Sequence, residues 1–103
     1  MDLKPKRPLE IDVHVDGSIV TVSLTGYLTF DSDCGSLRRT IDTLLDQGHR
    51  DFVLDLRDIR LIDSAGLAVI IRMHSIVKSR GGLLLKADGH GRFLNIFKIS
   101  ESD

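Results

Sequence analysis

The chain has 103 residues, 42% of them hydrophobic and 28% charged, with a formal net charge of −1. That length carries one hydrophobic core, and the balance is that of a folded domain rather than a disordered segment. So small a charge gives no electrostatic footprint for nucleic acid or an anionic membrane; no apolar run approaches a membrane span, and no signal-peptide core follows Met1.

Residues 1–8 contain two prolines and the basic run KPKRP, which reads as a flexible, solvated N-terminal arm. Residues 9–103 read as a single domain. From Leu9 the pattern alternates, with Leu9, Ile11, Val13 and Val15 on one side and Glu10, Asp12, His14 and Asp16 on the other. Val20, Val22 and Leu24 repeat the alternation, and Asp16-Gly17 between the two runs is a turn signal because glycine supplies positive φ. An antiparallel hairpin is predicted, with its second strand ending at Gly26 and a polar connection over 27–33. Asp31, Ser32 and Asp33 are all helix-capping types. After them Cys34, Leu37, Ile41, Leu44 and Leu45 form one stripe at helical spacing, and Gly48 is placed to stop the helix. Cys34 is the only cysteine, so the sequence offers no disulfide framework or cysteine metal cluster, and a reducing, cytoplasmic setting is expected.

Phe52-Val53-Leu54-Asp55-Leu56 is a nearly continuous apolar run, the pattern of a central strand. Residues 57–60 read as a turn, and Leu61-Ile62 lead into Asp63-Ser64-Ala65-Gly66-Leu67. Helical spacing follows over 66–79, with an apolar arc wider than contact with one sheet requires; either neighbouring helices cover the excess or the first turn stays open to a partner. Gly81-Gly82 ends this helix, 83–87 read as a short buried strand, 88–91 turn, and 92–99 read as a last helix through Phe93, Leu94, Ile96 and Phe97. The predicted order is β-β-α-β-α-β-α.

The corner at Asp63 carries the chemistry. Ser64 lies where helix N-terminal amides are unpaired and the dipole field favours negative charge, so a phosphoryl group placed there would be stabilised. The competing structural reading makes Asp63-Ser64 an N-cap pair, with the Ser64 hydroxyl as a cap, and Gly66 a close-packing residue.

The stretch LDLRDIRLIDSAGLAVIIRMHSIVKSRGG resembles the signature region of the STAS domain, in particular of bacterial anti-sigma factor antagonists. Leu54-Asp55-Leu56, residues 62–67 and Gly81-Gly82 match the family's steps in order, and Leu24-Thr25-Gly26 resembles its strand end before the first helix. The resemblance covers nearly the whole of 9–99. It implies an α/β fold built on a STAS-like mixed β-sheet, with helices packed mainly on one face. It also implies an antagonist that binds an anti-sigma factor with serine kinase activity, thereby freeing a sigma factor. That partner supplies ATP and magnesium, phosphorylates Ser64 and so ends the complex, and a phosphatase reverses the step. The partner-binding surface carried over is Asp63, Ser64, Ala65, Gly66 and Leu67, together with Thr29 and Asp31 near the corner. Ala65 stands where many members have a second hydroxyl, so Ser64 is the only acceptor at the corner. Thr29 stands where members often have Asp.

A related reading is a STAS adaptor that docks on the ATPase subunits of a membrane transporter and uses the corner as a contact surface without phosphorylation. An enzyme is not expected. Ser64 is not in a Gly-x-Ser-x-Gly elbow, and Asp88-Gly89-His90-Gly91 lacks the lysine of a phosphate loop. His14, His49, His74 and His90 have no metal-type spacing, so no metal, cofactor or catalytic residue is predicted, nor nucleic acid or direct membrane insertion.

Overall fold

In the computed structural model, which describes residues 7–87, alternating apolar residues produce a hairpin of β1 (Leu9–Asp16) and β2 (Ile19–Leu28). Asp16 pairs with Ile19, so the two loop residues are Gly17 and Ser18, one position beyond the Asp16-Gly17 signal. Gly17 takes φ 61°, the left-handed region where a side chain is disfavoured. The strand does not end at Gly26; it runs through Tyr27 to Leu28, and the Tyr27 amide donates to the Pro8 carbonyl at 2.9 Å. The last two residues of the arm are thereby tied to β2, and the Arg7 guanidinium lies 5.2 Å from the Tyr27 ring centroid.

Helix α1 (Cys34–Asp46) starts where the capping residues predict, with the Asp33 carboxylate accepting from the Ser36 amide. Its stripe of Leu37, Ile41, Leu44 and Leu45 is buried. β3 (Asp51–Ile62) then pairs parallel to β2, α2 (Ser64–Ser79) crosses over, and β4 (Leu83–Ala87) pairs parallel to β3. The described sheet has four strands in the order β1-β2-β3-β4. The turn and helix expected over 88–99 lie outside the described residues.

The largest correction concerns β3. The predicted turn over 57–60 is strand. Two register shifts against β2, one between Ser23 and Thr25 and one between Gly26 and Tyr27, place extra residues on β3 without ending it. The Asp55 carboxylate accepts from the Arg57 side chain at 3.0 and 2.8 Å and from its amide at 3.1 Å, which folds the polar pair onto the bulged stretch. Ile59 and Ile62 consequently return to the buried face.

Both helices pack on one side of the sheet. Val20, Val22 and Leu24 of β2, Phe52, Leu54 and Leu56 of β3, Leu37 and Ile41 of α1, and Ile70 and Met73 of α2 form one core, none more than 1% exposed. On the opposite face Glu10, Asp12, His14 and Asp16 of β1 are exposed, as are Leu83 and Leu85 of β4.

The return from α2 to β4 is tight. A Cβ on Gly82 would overlap the Arg50 carbonyl oxygen and stand 3.1 Å from Val77 Cγ1. Gly82→Ala should therefore cost about 1–3 kcal/mol, the usual penalty for forcing extra volume into a packed site. Urea unfolding checks this, and an unchanged midpoint would mean that the approach is looser than described.

Candidate functional site

Three chain segments meet at the Asp63 corner: the end of β2, the loop after it, and the first turn of α2. Ile62 is buried, which brings Asp63 out at the end of β3 with an extended backbone (φ −105°, ψ −172°). Asp63 is the N-cap: its Oδ1 accepts from the Gly66 amide at 3.0 Å, and its carbonyl accepts from the Leu67 amide at 2.9 Å. Its Oδ2 accepts from the Phe30 amide at 2.9 Å, and its own amide donates to the Leu28 carbonyl at 3.3 Å. Gly66 makes this approach possible, because a Cβ there would overlap that same Leu28 oxygen.

Ser64 is the first residue of α2 and not its cap. The expected capping hydrogen bond belongs to Asp63 because the Leu28–Gly66 contact fixes where the helix can begin. The Ser64 side chain is exposed, and its hydroxyl makes no hydrogen bond among the described residues. Ala65, Leu67 and Asp63 are half-buried and Gly66 is buried, so Ser64 is the most accessible residue of the five. The exposed side of α2 continues with Ala68 and Ile71, four and seven residues on, and so on the same helix face.

The loop after β2 departs from expectation. Thr29 is 1% exposed and its side chain cannot face a partner. Its hydroxyl donates to Asp31 Oδ1 at 2.6 Å, its amide donates to Ser32 Oγ at 2.9 Å, and its carbonyl accepts from Ser32 Oγ and Cys34 Sγ. Asp31 is also turned to structural work, paired with Arg7 Nε at 3.4 Å while its carbonyl accepts from the Arg7 amide. The loop displays Phe30 instead, at 81% exposure. Sequence reasoning missed Phe30, although an aromatic residue flanked by Thr29 and Asp31 in a polar connection was a readable signal.

Burial opposes ionisation of Asp63, but the amides of Gly66, Phe30, Ala65 and Asp63 itself outweigh it and hold the carboxyl below the usual carboxylate range. No group of three or more His, Cys, Asp or Glu side chains among the described residues could hold a metal ion. No helix among those residues is long and apolar enough to cross a membrane.

The described residues thus combine a mixed sheet, two crossover helices on one face and a serine corner capped by Asp63. The family model described as "Mlab, STAS domain" matches residues 9–103, and the chain belongs to the STAS domain family. Among solved structures, the anti-sigma factor antagonist SpoIIAA in its unphosphorylated form is similar at 16% identity and a TM-score of 0.73, over 87% of this chain and 83% of that one. The phosphorylated form of SpoIIAA, from Bacillus, gives 17% and 0.73, over 89% and 84%. An anti-sigma factor antagonist from Mycobacterium paratuberculosis gives 15% and 0.71, over 90% and 80%. The murine anion transporter Slc26a9 gives 14% and 0.64, over 84% of this chain and 14% of the transporter. The chain likewise spans only 19% of the length of Mglu, to which it is 26% identical over 77% of its own length with a TM-score of 0.61. Identities below 25% establish likeness of fold.

A carboxyl held lower in the folded chain than in the unfolded one adds stability above its unfolded pKa, and that contribution is lost as pH falls through the folded value. For Asp63 the loss should fall below about pH 4. Asp63→Asn should be less stable than the parent at pH 7, and the two stability curves should converge in acid. Urea midpoints between pH 3 and 7 test this; parallel curves would remove the carboxylate's charge from the explanation.

Proposed function

We propose that this chain is an anti-sigma factor antagonist, which binds an anti-sigma factor with serine kinase activity and is switched off by phosphorylation at Ser64. The observation that carries the reading is the Ser64 hydroxyl: exposed, unbonded to any described residue, and set on the first residue of a helix that Asp63 already caps. Such a hydroxyl can be modified without dismantling anything. The kinase transfers the γ-phosphoryl group of ATP to Ser64 Oγ, ADP leaves, and the hydroxyl proton passes to a base of the kinase or to water. ATP and magnesium belong to the partner, and a phosphatase restores the hydroxyl.

The electrostatics favour release without refolding. Phosphorylation adds about −1.5 to −2 charge units and three acceptors beside the Asp63 carboxylate. The positive end of the α2 dipole stabilises that charge within the chain. A partner surface fitted to a neutral hydroxyl meets repulsion and must desolvate the phosphate. Ala65 in place of a second hydroxyl favours the second reading: an adaptor docking on a transporter ATPase without modification.

Incubation with the purified kinase partner, ATP and magnesium should place one phosphate on Ser64, located by peptide mapping. Phosphate on Thr29, Ser32 or Ser36 instead would overturn the assignment to Ser64, and no phosphate at all would favour the adaptor. A second expectation concerns affinity, measured by isothermal titration against the same partner. Ser64→Ala should remain bound in the presence of ATP, and Ser64→Asp should bind more weakly, though less so than the phosphoserine form, since one carboxylate carries about half its charge. Because the hydroxyl is not the cap, Ser64→Ala should change stability by no more than about 0.5 kcal/mol. Equal affinities of the folded Ser64, Ala and Asp forms would make the corner structural.

A further inference from the structure

Phe30 is the most exposed of the large hydrophobic side chains among the described residues, at 81% against 54% for Leu85, the next. The fold gains nothing from this exposure. The backbone beneath it is nevertheless fixed from several directions. Thr29 and Ser32 exchange hydrogen bonds below it, Arg7 holds Asp31 after it, and the Phe30 amide itself is bonded to Asp63 Oδ2. An aromatic ring held out on an ordered backbone loses little freedom when it docks, and aromatic side chains of this kind dominate the energetics of interfaces.

Its position matters as much as its exposure. Asp63 binds the Phe30 amide and is followed directly by Ser64, so the Phe30 backbone is held next to the residue that precedes the corner serine. From Ser64 the uncharged strip continues over Ala65, Ala68 and Ile71, the last of these 42% exposed. We propose that Phe30 is the anchor of this chain on its anti-sigma factor, inserted into an apolar pocket of that partner next to the surface that covers Ser64. This rests on the reading of Ser64 as the switch, and it adds a reason for release. A phosphate on Ser64 arrives at the edge of an apolar pocket, where burying an unpaired charge costs most.

Two measurements on the full chain test the anchor. Phe30→Ala should weaken binding to the kinase partner by roughly 30-fold or more, the loss expected of a hot-spot aromatic, with Phe30→Leu intermediate. Both variants should keep the thermal midpoint of the parent. Benzoylphenylalanine substituted for Phe30 should photocrosslink in native cells to the kinase that phosphorylates Ser64, and Ser64→Asp should suppress the product. The same probe at Leu85, on the opposite face of the sheet, should give no such product. Affinity of Phe30→Ala within threefold of the parent, or crosslinking indifferent to Ser64→Asp, would overturn the anchor while leaving phosphorylation of Ser64 intact. Crosslinking to a transporter ATPase, with no phosphate on Ser64, would overturn the anti-sigma reading and the partner proposed here together.

Discussion

One carboxylate holds the functional end of this molecule together. Asp63 accepts from the Gly66 amide with one oxygen and from the Phe30 amide with the other, so a strand end, a loop and a helix start share a single group. The loop lies 33 residues from Asp63 in sequence, and helix nucleation is unfavourable in isolation. A charged acceptor that satisfies a helix amide and a loop amide together makes the first turn of α2 and the position of Phe30 parts of one arrangement. The low pKa of Asp63 is the same fact seen from the solvent: four amide contributions outweigh the cost of its burial.

That arrangement depends in turn on missing side chains. Gly66 lets the first turn of α2 meet the Leu28 carbonyl, and Gly82 lets the chain leave α2 past the Arg50 carbonyl. The start of α2 is pressed against the end of β2, the chain beyond α2 passes the residue before β3, and the interior between is filled by Ile70, Met73 and Val77. The position of Ser64 therefore follows from packing. Sliding the helix along its axis would set a side chain against the Leu28 carbonyl in place of Gly66.

Much of the fold was legible in local pattern. The stripe of α1 is strongly periodic and Asp33 marks its start, so the helix was placed without tertiary knowledge; the hairpin and β4 were placed on alternation and glycine punctuation. β3 was cut short because Leu56, Ile59 and Ile62 recur at intervals of three, which alternation does not recognise as a strand. The bulges opposite β2 that restore the face are a property of pairing, invisible in one segment. At the corner Asp63 and Ser64 are both capping types, and contact with Leu28 decides between them. Thr29 and Asp31 were placed near the corner, but their partners Ser32, Cys34 and Arg7 draw them inward, and the residue between them is the one displayed.

The acidic row on β1 has a consequence for how copies of this chain meet. β1 is an outer strand of the described sheet, and such strands invite another strand to pair alongside. Glu10, Asp12 and Asp16 stand exposed on one face of it. Two copies approaching edge to edge in antiparallel register would bring carboxylates opposite carboxylates at neutral pH, an unfavourable pairing across strands. The row thus acts as a gatekeeper against fibre-like self-association, on an edge that carries no residue of the Ser64 corner.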